Sequence, residues 1–150
     1  MTYDKDQISE ILGIGSPFLV LDQVTLVIPG SKAVGSKEFK SQDWFFKHHL
    51  KDEPLVPGVF LVEGGLQLFA LTIYLSDGHA GHYSFVNKCA SIFHKKVLPG
   101  MLVTYVAEVK NKKRGIFEGV FSCSSSEGLV CESKLSFISP HLLPRVKIEK

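Results

Sequence analysis

The feature that most constrains the fold is an apolar stretch in the middle of the chain. It runs from Pro57 to Gly78 and reads PGVFLVEGGLQLFALTIYLSDG. Proline suits the first turn of a helix, and the polar Ser-Asp-Gly end provides a stop. Apolar residues would lie on almost every side of this helix, which would be about 27 Å long for roughly 18 residues. The stretch therefore predicts a central helix that is enclosed by other structure.

The segments on both sides of this helix favour β-strands. They are rich in β-branched and aromatic residues and are separated by turn signals such as Pro29-Gly30 and Pro99-Gly100. The predicted strands are residues 18–28, 32–39, 83–97, 101–110, 115–124 and 129–138. A short helix at 4–12 and a single turn at 44–46, capped by Asp43, complete the elements. One long buried helix against an antiparallel sheet predicts an α+β fold in which the sheet curls around the helix.

Length and composition indicate a single domain, residues 1–150. The chain carries 17 Lys and Arg against 15 Asp and Glu, and this net charge of +2 is too small to indicate nucleic acid. The three cysteines Cys89, Cys123 and Cys131 show no CxxC spacing and predict free, mostly buried thiols in a reducing compartment. No secretory signal and no apolar run of membrane-spanning length is visible. We therefore expect a cytoplasmic protein without a nucleic-acid or membrane partner.

Glu63 is the strongest candidate for chemistry because it is a carboxylate inside the apolar helix. Its neighbours leave it little water, and desolvation would raise its pKa toward that of a general acid near neutral pH. Gln67 follows four residues later on the same helix face, where its amide can orient the carboxylate. The alternative is a structural Glu63 that pairs with a lysine elsewhere.

Gly64 and Gly65 follow Glu63 directly. Two glycines within a helix cost roughly 1 kcal/mol each relative to alanine, so something should require their missing side chains. We expect another backbone, or a ligand chain, to approach the helix closely at this point. The alternative is a local weakness that the helix tolerates.

Two adjacent histidines, His48 and His49, occupy a polar loop that precedes the helix. A neutral imidazole is the usual general base at physiological pH, although either histidine alone would more often be an ordinary loop residue. The N–H of Gly58 belongs to the unpaired donors of a helix N-terminus and can polarise a carbonyl oxygen. A histidine, a carboxylic acid and an amide donor together indicate acid–base chemistry.

A metal site receives little support from the sequence. His79 and His82 are accompanied by no Cys or Asp/Glu cluster apart from Asp77. No metal, flavin or nucleotide site is visible, so we expect no cofactor. The basic groups Lys95-Lys96 and 112–114 indicate solvated hairpin tips, or a landing patch for an acidic partner.

One string of residues carries a family resemblance: Phe45-Phe46-x-x-His49-x-x-x-x-Pro54-x-x-Pro57-Gly58-Val59-x-x-x-Glu63-x-x-x-Gln67. It resembles the active-site segment of the FabA/FabZ-type β-hydroxyacyl-acyl-carrier-protein dehydratases. Residues 17–24 (PFLVLDQV) and 93–100 (FHKKVLPG) are similar to two further segments of that family, in the same order. The resemblance covers most of residues 17–138 and implies the hot-dog fold, a long central helix wrapped by a curved antiparallel β-sheet.

The resemblance also implies a role for each site residue. His49 aligns with the catalytic histidine and Glu63 with the catalytic acid. Gly58 would donate its N–H to the thioester carbonyl, and Gln67 would hold the acid. His48 falls where the family usually has glycine, so it is a supporting candidate. In this family the histidine loop of one subunit meets the helix carboxylate of the other, which implies an obligate dimer with two composite sites.

The implied activity is that of a hydro-lyase, the dehydration of a β-hydroxyacyl thioester to the trans-2-enoyl thioester in fatty-acid or polyketide-type biosynthesis. The implied partner is an acyl-carrier protein that carries a phosphopantetheine-linked acyl chain. A homodimer, a trimer of dimers and a heterodimer with a paralogue stay open. Two other functions also stay open: a hot-dog acyl thioesterase, and a non-catalytic acyl-binding subunit of a heterodimeric dehydratase.

The chain departs from the family pattern at several points. The family's HRYPF becomes residues 14–18 (IGSPF), and residues 50–53 (LKDE) replace a loop of the Phe-Pro-Gly type. The run Trp44-Phe45-Phe46 is similar to the FabA-like branch, whereas Glu63 is what the FabZ-like branch carries. These differences imply a specialised relative that keeps both proton carriers.

Overall fold

The computed structural model describes residues 1–76 and 78–145. A short helix, α1 (Lys5–Leu12), precedes a six-stranded sheet and a central helix, α2 (Gly58–Tyr74). The strands are β1 (Gln23–Ile28), β2 (Lys32–Glu38), β3 (Phe85–Phe93), β4 (Leu102–Lys113), β5 (Ile116–Ser125) and β6 (Gly128–Ile138). Their order across the sheet is β1-β2-β4-β5-β6-β3, and every neighbouring pair is antiparallel. The two edge strands are therefore β1 and β3.

The core lies between α2 and the inner face of the sheet. Leu68, Phe69, Leu71 and Ile73 of α2 are fully buried. They belong to the same cluster as the buried aromatic residues of the sheet, which include Tyr105, Phe117, Phe121 and Phe137. The predicted α+β fold, with a central helix against an antiparallel sheet, is confirmed.

Both helices begin where the sequence indicates. The carboxylate of Asp4 accepts the N–H of Gln7 at 2.9 Å, and the Gln7 side chain accepts the N–H of Asp4 at 3.0 Å, which forms a capping box for α1. The helix α2 begins directly after Pro57 and ends at Tyr74. The predicted stop at 76–78 includes Asp77, which lies outside the described residues.

Gly64 and Gly65 receive aromatic rings from the sheet. A Cβ atom on Gly64 would lie 2.6 Å from Cζ of Tyr105, and a Cβ atom on Gly65 would overlap the ring of Phe121. Both rings are fully buried. A close approach at this point was expected, but the expected partner, a backbone or a ligand chain, was wrong.

The first strand begins at Gln23, five residues later than predicted. Residues 19–21 are buried, as a strand would require. However, the N–H of Val20 and the carbonyl oxygen of Phe18 are both bonded to the side chain of Gln67. Because these backbone groups are used by a side chain, this segment forms no ladder with a neighbouring strand.

The predicted cap at Asp43 was also wrong. The turn forms as a 3-10 turn at Trp44–Lys47, but its first residues receive no hydrogen bond from Asp43's side chain. The carboxylate instead accepts the N–H of Lys40 at 3.0 Å. It therefore faces the segment before the turn, beside the end of β2.

The strand β3 is shorter than predicted, because the chain leaves the sheet after Phe93. The N–H of His94 still reaches the carbonyl oxygen of Val130 at 2.7 Å. Further on, the carbonyl oxygen of Val97 accepts the N–H of Val56 at 2.8 Å. By Val97, the segment after β3 is thus attached to the loop that carries His49.

The edge strand β3 exposes large apolar side chains. The exposed fraction is 60% for Phe85, 58% for Ile92 and 51% for Phe93. Cys89 lies midway along β3 and is paired with Leu135 of β6, so the two side chains share the inner face of the sheet. Exposed apolar residues on an unpaired strand edge are typical of an interaction surface.

All three thiols are free, as predicted. Cys123 and Cys131 are buried, whereas Cys89 is exposed. Within the described part of the chain, no helix is long and apolar enough to cross a membrane.

Candidate active site

Gln67 holds Glu63 in a fixed orientation. Its Nε2 donates to Oε1 of Glu63 at 2.9 Å and to the carbonyl oxygen of Phe18 at 3.0 Å. Its Oε1 accepts the N–H of Val20 at 2.9 Å. Gln67 is only 1% exposed, and both of its amide protons are used. Because the backbone contacts decide which way the amide points, Gln67 can only donate toward Glu63.

The carboxyl group of Glu63 is half-buried on α2. Burial raises its pKa above the usual value of 4.5, and the hydrogen bond from Gln67 offsets part of this rise. Glu63 has no lysine partner among the ion pairs of the described residues. The rise in pKa has the direction that the sequence predicted, and the role of Glu63 as an acid stays a prediction.

We expect Glu63 to make the folding stability fall as the pH rises. The folded state holds this proton more tightly than the unfolded chain, so the contribution is fully present below pH 4.5 and is lost as the pH rises through the higher, folded-state pKa. Glu63→Gln cannot ionise. In acid its melting temperature should equal that of the wild type. Above this pH window its melting temperature should be higher than that of the wild type. Thermal unfolding across both sides of the window tests this, and equal melting temperatures at alkaline pH would contradict it.

His49 is held by the backbone of its own loop. Its Nδ1 lies 3.3 Å from the carbonyl oxygen of Leu55. A carbonyl oxygen only accepts, so this hydrogen bond forms when Nδ1 carries the proton, and Nε2 then presents its lone pair. Leu50, the next residue, has a φ of 47°, a left-handed conformation that costs an L-residue about 1 kcal/mol. Such strain is typical of functional loops.

Three contacts fix the His49 loop to the rest of the protein. Phe45, in the turn before the loop, stacks on Phe60 of α2 with ring centroids 4.8 Å apart. The Val56 N–H bonds to Val97, as described above, and Glu53 forms an ion pair with Lys96. His48 ends the turn and is exposed, whereas His49 is partly buried. The two adjacent histidines therefore differ in their exposure to solvent.

Gly58 is the first residue of α2, where N–H groups have no partner within the helix. The ring of Phe93 lies against it, since a Cβ atom at Gly58 would be 3.0 Å from Cε1 of Phe93. Sequence reasoning did not assign Phe93 to the site. The sequence feature that could have identified Phe93 is its position at the start of the segment FHKKVLPG. That segment was used only for the family resemblance.

The described residues bring Glu63 and Gln67 together but do not join Glu63 to His49. No hydrogen bond or ion pair between those two side chains is present within one protomer over 1–76 and 78–145. No group of three or more possible metal ligands occurs in the same residues. His79 packs against Phe117 and His82 stacks on His141, away from the Glu63 pair.

Comparison with known proteins gives the family. Residues 14–134 match the family described as the FabA-like domain. The chain belongs to the FabA-like domain family. The 3-hydroxyacyl-[acyl-carrier-protein] dehydratase FabZ of Bacillus licheniformis is 33% identical over 137 residues, 89% of this chain and 94% of that protein. The protein of the same name from Bacillus subtilis is 31% identical over 137 residues, 89% and 96% of the two chains. The predicted FabA/FabZ relationship is confirmed, and dehydratase is the name of these relatives.

Solved structures agree on the fold of this FabA-like domain. The dehydratase heterocomplex ApeI:P of Xenorhabdus doucetiae gives a TM-score of 0.72 at 12% identity, over 89% of this chain and 90% of that chain. The Escherichia coli PaaI protein gives 0.62 at 15% identity, over 89% and 88%. A hypothetical thioesterase from Streptococcus pneumoniae with coenzyme A gives 0.62 at 11% identity, over 81% and 87%. These neighbours confirm the predicted hot-dog fold.

Proposed function

We propose that this protein removes water from a β-hydroxyacyl thioester and forms the trans-2-enoyl thioester. The observation that carries the proposal is the Glu63–Gln67 pair, a partly buried carboxyl group with a raised pKa that one amide holds in place. A raised pKa lets a carboxyl group keep its proton to a higher pH, and that proton can release the hydroxyl group as water. The names of the curated relatives support the same reaction.

In the proposed step, Nε2 of His49 takes a proton from the α-carbon. The electron pair of that C–H bond forms the double bond between the α- and β-carbons, and the C–O bond at the β-carbon breaks. Glu63 gives its proton to the departing hydroxyl, which leaves as water. The N–H of Gly58 stabilises the charge that develops on the thioester oxygen. His49 gains one proton and Glu63 loses one, so a transfer through solvent resets the site.

We further propose that His49 and Glu63 of each site come from two protomers of a homodimer. The unpaired edge of β3, with its exposed apolar residues, suits a second copy that continues the sheet. Phe93 belongs to this edge and lies against Gly58. Pairing along β3 would therefore bring the partner next to the donor N–H.

Cys89 provides a test of this dimer. It is the middle residue of β3. If two copies pair antiparallel about the middle of this strand, each Cys89 faces its counterpart at a Cα separation of about 4.5–5.5 Å, which suits a disulfide. Mild oxidation should then give a covalent dimer of twice 16.6 kDa on non-reducing gels. Cys89→Ser should give none.

A monomer that persists after oxidation, although a maleimide labels Cys89, would contradict this pairing. The buried Cys123 and Cys131 remain in both proteins and control for other crosslinks. Light scattering on the untreated protein tests the dimer without any modification. A monomer that still turns over would contradict the composite site.

The partner in the proposed reaction is an acyl-carrier protein with a phosphopantetheine-linked acyl chain, in fatty-acid biosynthesis. The names of the relatives include this carrier. Lys47, Lys51 and Lys95 are exposed on the segments around the His49 loop, where positive charge would attract an acidic carrier. A polyketide-type pathway and the cytoplasmic location stay predictions.

Two alternatives have specific support. A thioesterase is consistent with the fold of the Streptococcus pneumoniae protein, and a subunit of a heterodimer with the fold of ApeI:P. One assay separates the three functions: the purified protein is incubated with a β-hydroxyacyl-acyl-carrier-protein thioester. Enoyl product supports dehydration, free thiol supports a thioesterase, and neither product supports a subunit that needs an active paralogue.

A further inference from the structure

Two loops hold the two proton carriers. The acid loop, residues 16–22, supplies the backbone groups that fix Gln67 and through it Glu63. The base loop, residues 40–56, contains His49 and the carbonyl oxygen that bonds to its ring. Residues of both loops line one cavity of about 210 Å³, including Pro17, Leu19 and Trp44. At this cavity the two loops lie on either side of an open space. Contacts between apolar side chains are therefore not enough to hold one loop against the other.

Lys37 bridges the two loops beside this cavity. It lies near the end of β2 and points to the inner face of the sheet, where it is only 8% exposed. Its Nζ is 3.4 Å from Oδ1 of Asp22 in the acid loop and 3.7 Å from Oδ2 of Asp43 in the base loop. The ammonium group also lies 5.8 Å from the centre of the Phe39 ring. One buried cation therefore contacts a carboxylate of each loop.

Backbone groups hold both carboxylates in place. Asp22 accepts the N–H of Glu38 at 2.9 Å, and Asp43 accepts the N–H of Lys40 at 3.0 Å. Lys5 approaches Asp22 at 3.9 Å from the exposed side. The triad of Asp22, Lys37 and Asp43 is thus anchored at both ends. Removing its cation would leave two partly buried carboxylates without the charge that they share, which costs stability.

We propose that Lys37 is a positioning residue that sets the placement of both proton carriers by joining the acid loop to the base loop. The inference rests on the proposed roles of His49 and Glu63. In the proposed dimer, these two residues of one protomer serve different sites. Each Lys37 would therefore support the acid of one site and the base of the other.

Three variants test this inference. Lys37→Met removes the bridge and leaves Asp43 without its cation, while Asp22 keeps only the distant Lys5. Lys37→Arg keeps a cation and should restore most of the activity. The triple variant Asp22→Asn, Lys37→Met, Asp43→Asn removes every charge of the triad. Its melting temperature should therefore return toward that of the wild type, although the two loops remain unbridged. We expect kcat for dehydration to fall about 10- to 100-fold in both variants that carry Met, with little change in KM, since small misplacements of catalytic groups cost this much.

The pH profile of kcat provides a readout that a purely structural role would not move. A looser acid loop admits water to Glu63, so the loss of activity at high pH should begin at a lower pH in the triple variant than in the wild type. Wild-type kcat and an unchanged profile in the triple variant would overturn the inference. Wild-type rates in His49→Ala and Glu63→Gln would instead overturn the proposed function, so the two failures are distinguishable.

Discussion

Replacing His49 by alanine should lower kcat/KM for dehydration by about a thousandfold, because a positioned general base contributes about 10²–10⁴-fold. The Nδ1 contact with Leu55 leaves Nε2 to take the proton, and no neighbouring side chain replaces it in the proposed mechanism. The measurement is the formation of enoyl thioester from a β-hydroxyacyl-acyl-carrier-protein. His48→Ala is the matched control, since His48 is exposed on the same loop and should keep its rate within about twofold of the wild type.

Glu63→Gln should cause a loss of similar size, since the amide keeps the contact with Gln67 but cannot donate the proton of a carboxylic acid. Wild-type turnover in His49→Ala or in Glu63→Gln would remove that residue from the mechanism. A loss of activity in His48→Ala as large as that in His49→Ala would contradict the assignment of the general base to His49 rather than His48.

Mixing the two inactive variants tests the composite site. In a heterodimer of His49→Ala with Glu63→Gln, one site receives both substitutions and the other receives neither. Random exchange of subunits should therefore recover roughly a quarter of the wild-type activity. A tagged subunit shows whether the subunits have exchanged. If they have exchanged and no activity returns, His49 and Glu63 of one site belong to the same protomer.

A large loss of stability is expected for Gly65→Ala. The new methyl group would overlap the ring of Phe121, which is fully buried. Overpacking of this kind costs about 3 kcal/mol, and the better helix propensity of alanine returns about 1 kcal/mol. A net loss of about 2 kcal/mol should lower the melting temperature by about 4–8 °C for a chain of this size. Thermal unfolding by circular dichroism measures the shift.

Two further variants make this prediction specific. Gly15→Ala adds the same methyl group at a position with no heavy atom within 4 Å, so its melting temperature should be close to that of the wild type. Gly65→Ala combined with Phe121→Leu makes room for the methyl group and should recover part of the loss. If Gly65→Ala melts at or above the wild-type temperature, the contact with Phe121 does not explain the glycine.

Local features of the chain were predicted well. Pro57 and the apolar run after it specified the central helix, whose bounds depend mainly on contacts within the helix. The spacing of four residues between Glu63 and Gln67 specified their hydrogen bond, because such residues are neighbours on any helix. The short helix predicted at 4–12 formed for the same local reason, although its Asp4–Gln7 capping box was not predicted.

Features that depend on distant segments were missed. Residues 18–22 have the composition of a strand, but the side chain of Gln67, 47 residues after Val20, takes their backbone groups. Asp43 has the chemistry of a cap, but its carboxylate lies near Lys37 and bonds to Lys40. Gly64 and Gly65 indicated a close neighbour, yet only the register of β4 and β5 decided that this neighbour is a pair of aromatic rings.

By itself, the sequence determined the central helix and the contact between Glu63 and Gln67, because both follow from residue type and short spacing. It also predicted the two proton carriers of the proposed mechanism. The tertiary structure decided which backbone groups orient Gln67, how burial raises the pKa of Glu63, and that Lys37 lies between the two loops. The reason is physical: desolvation and ion pairing depend on what the folded chain brings near a group, and segments far apart in sequence supply those neighbours.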